Sequence, residues 1–169
     1  MSSTSNSSGA LSRQQKNHSI LSIPIVYALA FPPHLYAFAR GMTASNYTYS
    51  NTVPRANLDL LKSKLPEATW QSLARAQGAH LNALEGFPLF AGAMIAGNYA
   101  KLSPNDLNFA AAEYICARVV YTALYMTTKS EAWSYLRTGV YAWSLAAPIW
   151  ILWKAGKKIR DQSVDLKEL

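Results

Sequence analysis

Two arginines, an amide, a carboxylate and several tyrosines stand at helical spacing in the middle of an otherwise apolar chain. Take Arg75 as zero. A turn of roughly 3.6 residues then puts Gly78 at about 300°, Asn82 at about 340° and Glu85 at about 280°. One helix face therefore carries Arg75, Asn82 and Glu85, with a glycine that lets another segment approach closely. His80 falls off that face, at about 140°. With Arg118 as zero, Tyr114, Tyr121 and Tyr125 fall at about 320°, 300° and 340°, whereas Glu113 points away at about 220°. A guanidinium grips a carboxylate through two parallel hydrogen bonds. Two stripes of this kind, if they converge, suit an anionic ligand with more than one carboxylate. The competing reading is plain pairing, Arg118 with Glu85 or Arg75 with Glu113, tying helices together. Spacing alone leaves both open.

The elements that position these residues are apolar and long. A helix needs about 20 mostly apolar residues to cross the hydrocarbon of a bilayer. Four stretches are read as spans: 20–39, 67–100, 104–128 and 131–153. The first has no formal charge between Lys16 and Arg40, and Pro24, Pro32 and Pro33 should kink it. A cleaved signal peptide is the rival reading of this stretch, with Ala28-Leu29-Ala30 as a cleavage site. Hydrophobicity continues beyond that site through Ala39, which favours an uncleaved helix. Ser103, Pro104 and Asp106 make a good helix start for the third span. In the fourth, Trp133 and Tyr135 lie near one end and Trp150 and Trp153 near the other, like two interfacial aromatic belts. A long polar connection, about residues 41–65, separates the first two spans; the other links are short. The expected fold is an all-α, integral membrane four-helix bundle. A disordered polar tail is expected over 1–18, a transmembrane domain over 19–155 and a polar, basic tail over 156–169. Charge inside such spans is expensive, so the arginines of the second and third should face a bundle interior or a polar cavity.

Composition narrows the alternatives. Half of the 169 residues are hydrophobic and 15% are charged, against about 25% charged in soluble proteins. The net charge of +7 does not point to nucleic acid, because the one dense basic cluster is Lys154, Lys157, Lys158 and Arg160. That cluster follows an apolar, Trp-rich segment, as a stop-transfer flank meeting anionic headgroups does. The lone Cys116 excludes a disulfide framework within one chain, and no metal site is expected. A small transporter fits poorly, since there is no internal repeat.

The stretch from Arg75 through Ala79-His80-Leu81-Asn82 and Glu85 to Pro88-Leu89-Phe90 resembles the helix-two signature of the MAPEG family, the membrane-associated proteins of eicosanoid and glutathione metabolism. Arg118-Val119-Val120-Tyr121 followed by Tyr125 is similar to the family's helix-three pattern, and Asn51-Thr52-Val53-Pro54-Arg55 resembles its loop Asn-Pro-Arg with two residues inserted. The resemblance implies a homotrimer with glutathione between neighbouring subunits. It implies a lipophilic substrate arriving from the bilayer and, in a eukaryote, residence in the endoplasmic reticulum membrane. By that resemblance Arg75, His80, Asn82, Glu85, Arg118, Tyr121 and Tyr125 are the glutathione-site residues. Two departures stand out. Gly78 occupies a position where many active members have arginine. The Arg-Ser pair early in helix four falls, by ungapped counting from Tyr125, on Ser134-Tyr135, with Arg137 one turn later.

The activity so implied is glutathione transfer or peroxidase chemistry. A cation lowers the thiol pKa, and the thiolate attacks a lipophilic electrophile. Arg137 is the expected sulfur-side cation and Tyr125 a hydroxyl donor to the sulfur. The alternative is a non-catalytic member that binds lipid or scaffolds another enzyme, for which the displaced Arg-Ser pair is the argument.

Overall fold

A computed structural model describes residues 15–46 and 48–165. Most of the N-terminal tail expected over 1–18, and the last four residues of the chain, lie outside these. The described residues are helical without strands: α1 (Ser19–Ala28), α2 (Phe31–Ala44), a 3₁₀ turn (Pro54–Ala56), α3 (Asn57–Lys62), α4 (Glu67–Tyr99), α5 (Pro104–Thr127) and α6 (Glu131–Asp165).

Pro32 and Pro33 break the first stretch rather than kink it, whereas Pro24 stays inside α1. Helix α1 ends at Ala28, and α2 restarts at Phe31 with prolines in its first turn. Pro32 and Pro33 have no N–H to offer the carbonyls one turn back, whereas a first turn needs none. The polar connection expected over 41–65 is shorter than that and partly helical. Helix α2 runs through Ala44, and α3 folds back on α4. Buried Asn57 ties this loop, donating to the Ser50 and Pro54 carbonyls at 2.7 and 3.1 Å and accepting from the Ser50 amide at 2.8 Å. Helix α6 continues past residue 153 to Asp165, so much of the basic C-terminal segment is helical. There Lys154 pairs with Asp106 in the first turn of α5.

Helices α4, α5 and α6 pack against one another, and α1 and α2 lean on α4. Helices α4 and α5 run antiparallel, joined by a tight turn. Lys101 adopts a left-handed φ of 53° there, and the Leu102 amide donates to the Gly97 carbonyl at 3.0 Å. This is the helix-ending pattern normally given to glycine. The core gathers Phe90, Ala93, Met94, Leu107, Ala110, Tyr114, Ala147 and Ile151. Its many alanines let the axes approach closely, as in helix packing within membranes.

The outer surface is apolar. Ile20, Leu21, Leu35, Ile95, Phe109, Val119, Trp133, Leu136, Ile149 and Trp153 are all exposed. Monomeric soluble domains rarely expose apolar surface on this scale. By length and composition, however, only Ser19–Ala44 among the described residues is apolar enough for a membrane span. The expectation of four spans is thereby reduced on composition. Helices α4, α5 and α6 are long enough at 33, 24 and 35 residues, but Arg75 and Glu85, Glu113 and Arg118, and Arg137 interrupt them.

Gly97 is where the three-helix core is tightest. A Cβ there would lie 2.5 Å from Leu107 Cδ2 and 3.0 Å from Ile151 Cγ2, whereas one at Gly139 would touch nothing. Gly97→Ala is expected to destabilise the fold by about 1–3 kcal/mol through overpacking, lowering the thermal unfolding midpoint. Gly139→Ala is expected to leave that midpoint unchanged or raise it.

Candidate functional site

The antiparallel α4–α5 pair is a ladder of polar contacts seated in small-residue notches. Arg75 Nε donates to the Met126 carbonyl at 3.2 Å. Tyr125 lies against Gly78, so closely that a Cβ there would stand 2.6 Å from its hydroxyl. Arg118 Nη2 donates to the Asn82 backbone carbonyl at 2.8 Å and to its Oδ1 at 2.9 Å. The Tyr114 hydroxyl donates to the Gly86 carbonyl at 3.1 Å, and its ring stacks on Phe90. Positions 75, 78, 82 and 86 recur at three or four residues, so one face of α4 meets α5 along its length.

Arg118 is the centre of the ladder. It is only 3% exposed, and its Nη1 is buried with no acceptor among the described residues. Its Cζ stands 4.8 Å from the Tyr121 ring centroid. From there an aromatic relay runs outward. Tyr121 meets Tyr125 and Tyr141 at centroid distances of 5.6 Å each. Arg137 then covers the Tyr125 ring at 4.5 Å. A guanidinium over an aromatic face is held by the ring quadrupole.

The structure thus brings together Asn82, Arg118, Tyr121, Tyr125 and Arg137, with Tyr114 and Tyr141 beside them. The simple pairings considered for the arginines are not formed. Among the described residues the ion pairs are Lys154–Asp106 and Arg160–Asp161, and the Glu113 carboxylate is buried with no hydrogen-bond partner. Arg75, although on the α4 ladder, turns to the bundle end, where it lines a cavity with Arg40 and Lys129. His80 lies elsewhere. Its Nδ1 is 2.8 Å from the Ala30 carbonyl at the α1–α2 break, and its ring packs on His34. Glu85 is exposed.

Arg137 reaches the relay although ungapped counting puts Ser134 at the corresponding place. The α5–α6 link closes over residues 128–130, and the antiparallel hairpin, not the count, selects the facing residue. Tyr141 escaped the sequence reading, yet it stands one helical turn beyond Arg137, a spacing that places both on one face of α6. Among the described residues no three His, Cys, Asp or Glu side chains gather as a metal site would require.

Searches of curated proteins and of solved structures each return no match. The sequence model of the MAPEG family matches residues 20–157. The chain belongs to the MAPEG family, whose members are membrane-associated, often trimeric, and generally use glutathione.

Asn82 is the acceptor that fixes Arg118. Asn82→Ala removes one of two acceptors of a buried guanidinium and is expected to cost about 1.5–3 kcal/mol, read as a lower unfolding midpoint. Asn82→Asp, which keeps an acceptor oxygen at that place, is expected to lose less.

Proposed function

We propose that this protein is a multi-pass membrane enzyme, a homotrimeric glutathione transferase or peroxidase acting on lipophilic electrophiles. The observation that carries the reading is the buried Arg118 guanidinium. Asn82 holds it in place while Nη1 has no acceptor among the described residues. A buried cation without a counter-charge is costly, and a glutathione carboxylate supplies that charge through the geometry arginine favours. The chemistry of the donor set fits the rest of the tripeptide. Asn82, Tyr121 and Tyr125 offer an amide and two hydroxyls, and Arg137 offers a second cation at the far side of Tyr125.

The sulfur-side role falls to Arg137. A free thiol is mostly protonated at neutral pH, and an adjacent guanidinium favours the thiolate. The thiol proton passes to water. The sulfur then forms a bond to the electrophilic carbon, and the leaving group departs with its electron pair. Tyr125, in contact with Gly78 and covered by Arg137, offers the hydroxyl assigned to the sulfur. A lipophilic substrate reaches the site laterally through the bilayer, which the apolar exterior favours.

The trimer draws support from α4. Leu81, Glu85, Pro88, Gly92, Ile95 and Tyr99 are exposed at alternating spacings of four and three residues, the seam pattern of packed helices. Glu85, which makes no ion pair among the described residues, sits in that seam and faces a neighbouring copy in such an assembly. His80, which packs on its own chain's α1–α2 break, joins the site only through residues carried alongside it. Residence in the endoplasmic reticulum membrane is part of the same proposal for a eukaryotic cell.

Calorimetry on protein in detergent or nanodiscs tests the reading. Wild type is expected to bind glutathione saturably, and Arg118→Ala to lose that binding. Unchanged binding in Arg118→Ala would sink the assignment. Arg137→Ala is expected to retain binding but to slow conjugation of a generic electrophile by about 10²-fold or more, the scale of losing one charge-stabilising donor. Its rate should also rise at higher pH, because the bound thiol ionises later. Glutathione binding by wild type without any turnover would favour the non-catalytic alternative, a lipid-binding or scaffolding member.

A further inference from the structure

At the end of the bundle where α4 begins and α5 ends, a cavity of about 610 Å³ opens between α2, α4 and the α5–α6 link. Three cations line it: Arg40 from α2, Arg75 from α4 and Lys129 from the link. None of its lining residues is acidic. Glu67, in the first turn of α4, is engaged by the Gln71 amide at 2.7 Å rather than by these cations. The neutral lining is rich in donors, with Tyr36, Thr69, Gln71, Ser72 and Thr127.

Two features make this a built pocket. The Tyr36 and Ser72 hydroxyls are joined at 2.9 Å, fastening α2 to α4 across it. Arg75 is aimed by its Nε, which donates to the Met126 carbonyl, so its terminal nitrogens stay available. Three like charges brought together without a carboxylate repel one another, and a bound anion offsets that repulsion. A charge of this size suits a phosphate better than a single carboxylate. The cavity is also far larger than a bare ion, so it accommodates a phosphate with substituents.

The position of the cavity identifies what bears the phosphate. It lies at the end of long helices whose flanks are apolar. Leu35 on α2 and Val119 on α5 are exposed on helices that reach it, where acyl chains would run. We propose that this pocket binds a phosphate-bearing anion, presented by an anionic lipid headgroup at the membrane surface. The inference goes beyond the glutathione reading and uses cations outside the Arg118–Tyr121–Tyr125–Arg137 relay. It also gives Arg75 a partner distinct from the glutathione carboxylates.

The test uses full-length protein in nanodiscs of phosphatidylcholine with a tenth of phosphatidic acid, followed by native mass spectrometry of the released protein. Wild type is expected to retain phosphatidic acid several-fold over phosphatidylcholine, and the Arg40→Gln/Lys129→Gln double variant to lose that preference. Both substituted side chains are exposed, and the unfolding midpoint of the variant checks that it folds. Inorganic phosphate titrated into detergent-solubilised protein forms the second arm. Thermal stabilisation by millimolar phosphate that disappears in the double variant, without selective lipid retention, supports the phosphate site and assigns it to a soluble ligand. Equal retention of both lipids by wild type and variant, together with no phosphate effect, overturns the proposal. So does selective retention that survives the double substitution. Glutathione calorimetry on wild type, run alongside, separates failure of this site from failure of the glutathione reading.

Discussion

One buried guanidinium organises this protein. Arg118 lies inside the helix bundle, and the cost of burying it is met only in part, by the carbonyl and side chain of Asn82. Two consequences follow from elementary electrostatics. The α4–α5 register cannot slip, because moving α5 by one residue would carry the guanidinium away from both acceptors and strand it in apolar surroundings. The nitrogen left over, Nη1, is a donor that no described residue satisfies. The proposed anion site and a determinant of the fold thus share one side chain. The small residues of α4 serve the same register. Gly78 and Gly86 leave the notches in which the Tyr125 and Tyr114 rings lie, and Gly97 lets Leu107 and Ile151 close the far end.

The bundle separates its cations by place. Arg118 and Arg137 stand at the two ends of one tyrosine relay, in contact with ring faces. Arg40, Arg75 and Lys129 collect at the bundle end beside hydroxyls and an amide. Lys154 and its neighbours occupy the opposite end, where Asp106 takes up one of them. A membrane setting accounts for this division. Charge within the hydrocarbon must be enclosed and partnered, whereas charge at the two surfaces meets headgroups and water. The aromatic side chains follow the same logic, with Trp133 and Tyr135 at one end of α6 and Trp150 and Trp153 toward the other.

Membership of the MAPEG family and the architecture of this one chain bear on different parts of the proposed chemistry. The family supplies the precedent of glutathione. The chain supplies a departure in detail: glycine rather than arginine at position 78, and Arg137, the cation proposed for the sulfur side, over the Tyr125 ring. These two departures meet at a single ring. Tyr125 rests on Gly78 through its hydroxyl end and is covered by Arg137 over its ring. An arginine side chain at position 78 would have no room unless that ring moved, so the glycine and the displaced arginine are parts of one local arrangement.

How much was legible beforehand follows from the range of each interaction. Helix periodicity is a local property, so the stripe through Asn82 and the stripe through Arg118 could be read from spacing, as could the start of α5 at Ser103-Pro104. A disturbance at Pro32 and Pro33 was legible, because the missing N–H groups are covalent facts, but it was read as a kink and not as the break between α1 and α2. The helical order within 41–65 was hidden, since it depends on Asn57 reaching back to Ser50 and on α3 finding α4. The fate of the arginines was hidden for the same reason. Spacing left Arg118 free to pair with Glu85 and Arg75 with Glu113, and only packing sent one to Asn82 and the other to the bundle end. Arg137 is the clearest case. Its residue type and its place near the start of α6 are written in the chain, but its contact with Tyr125 is decided by how the α5–α6 hairpin closes. That closure is set by long-range packing of whole helices rather than by any residue within one turn of it.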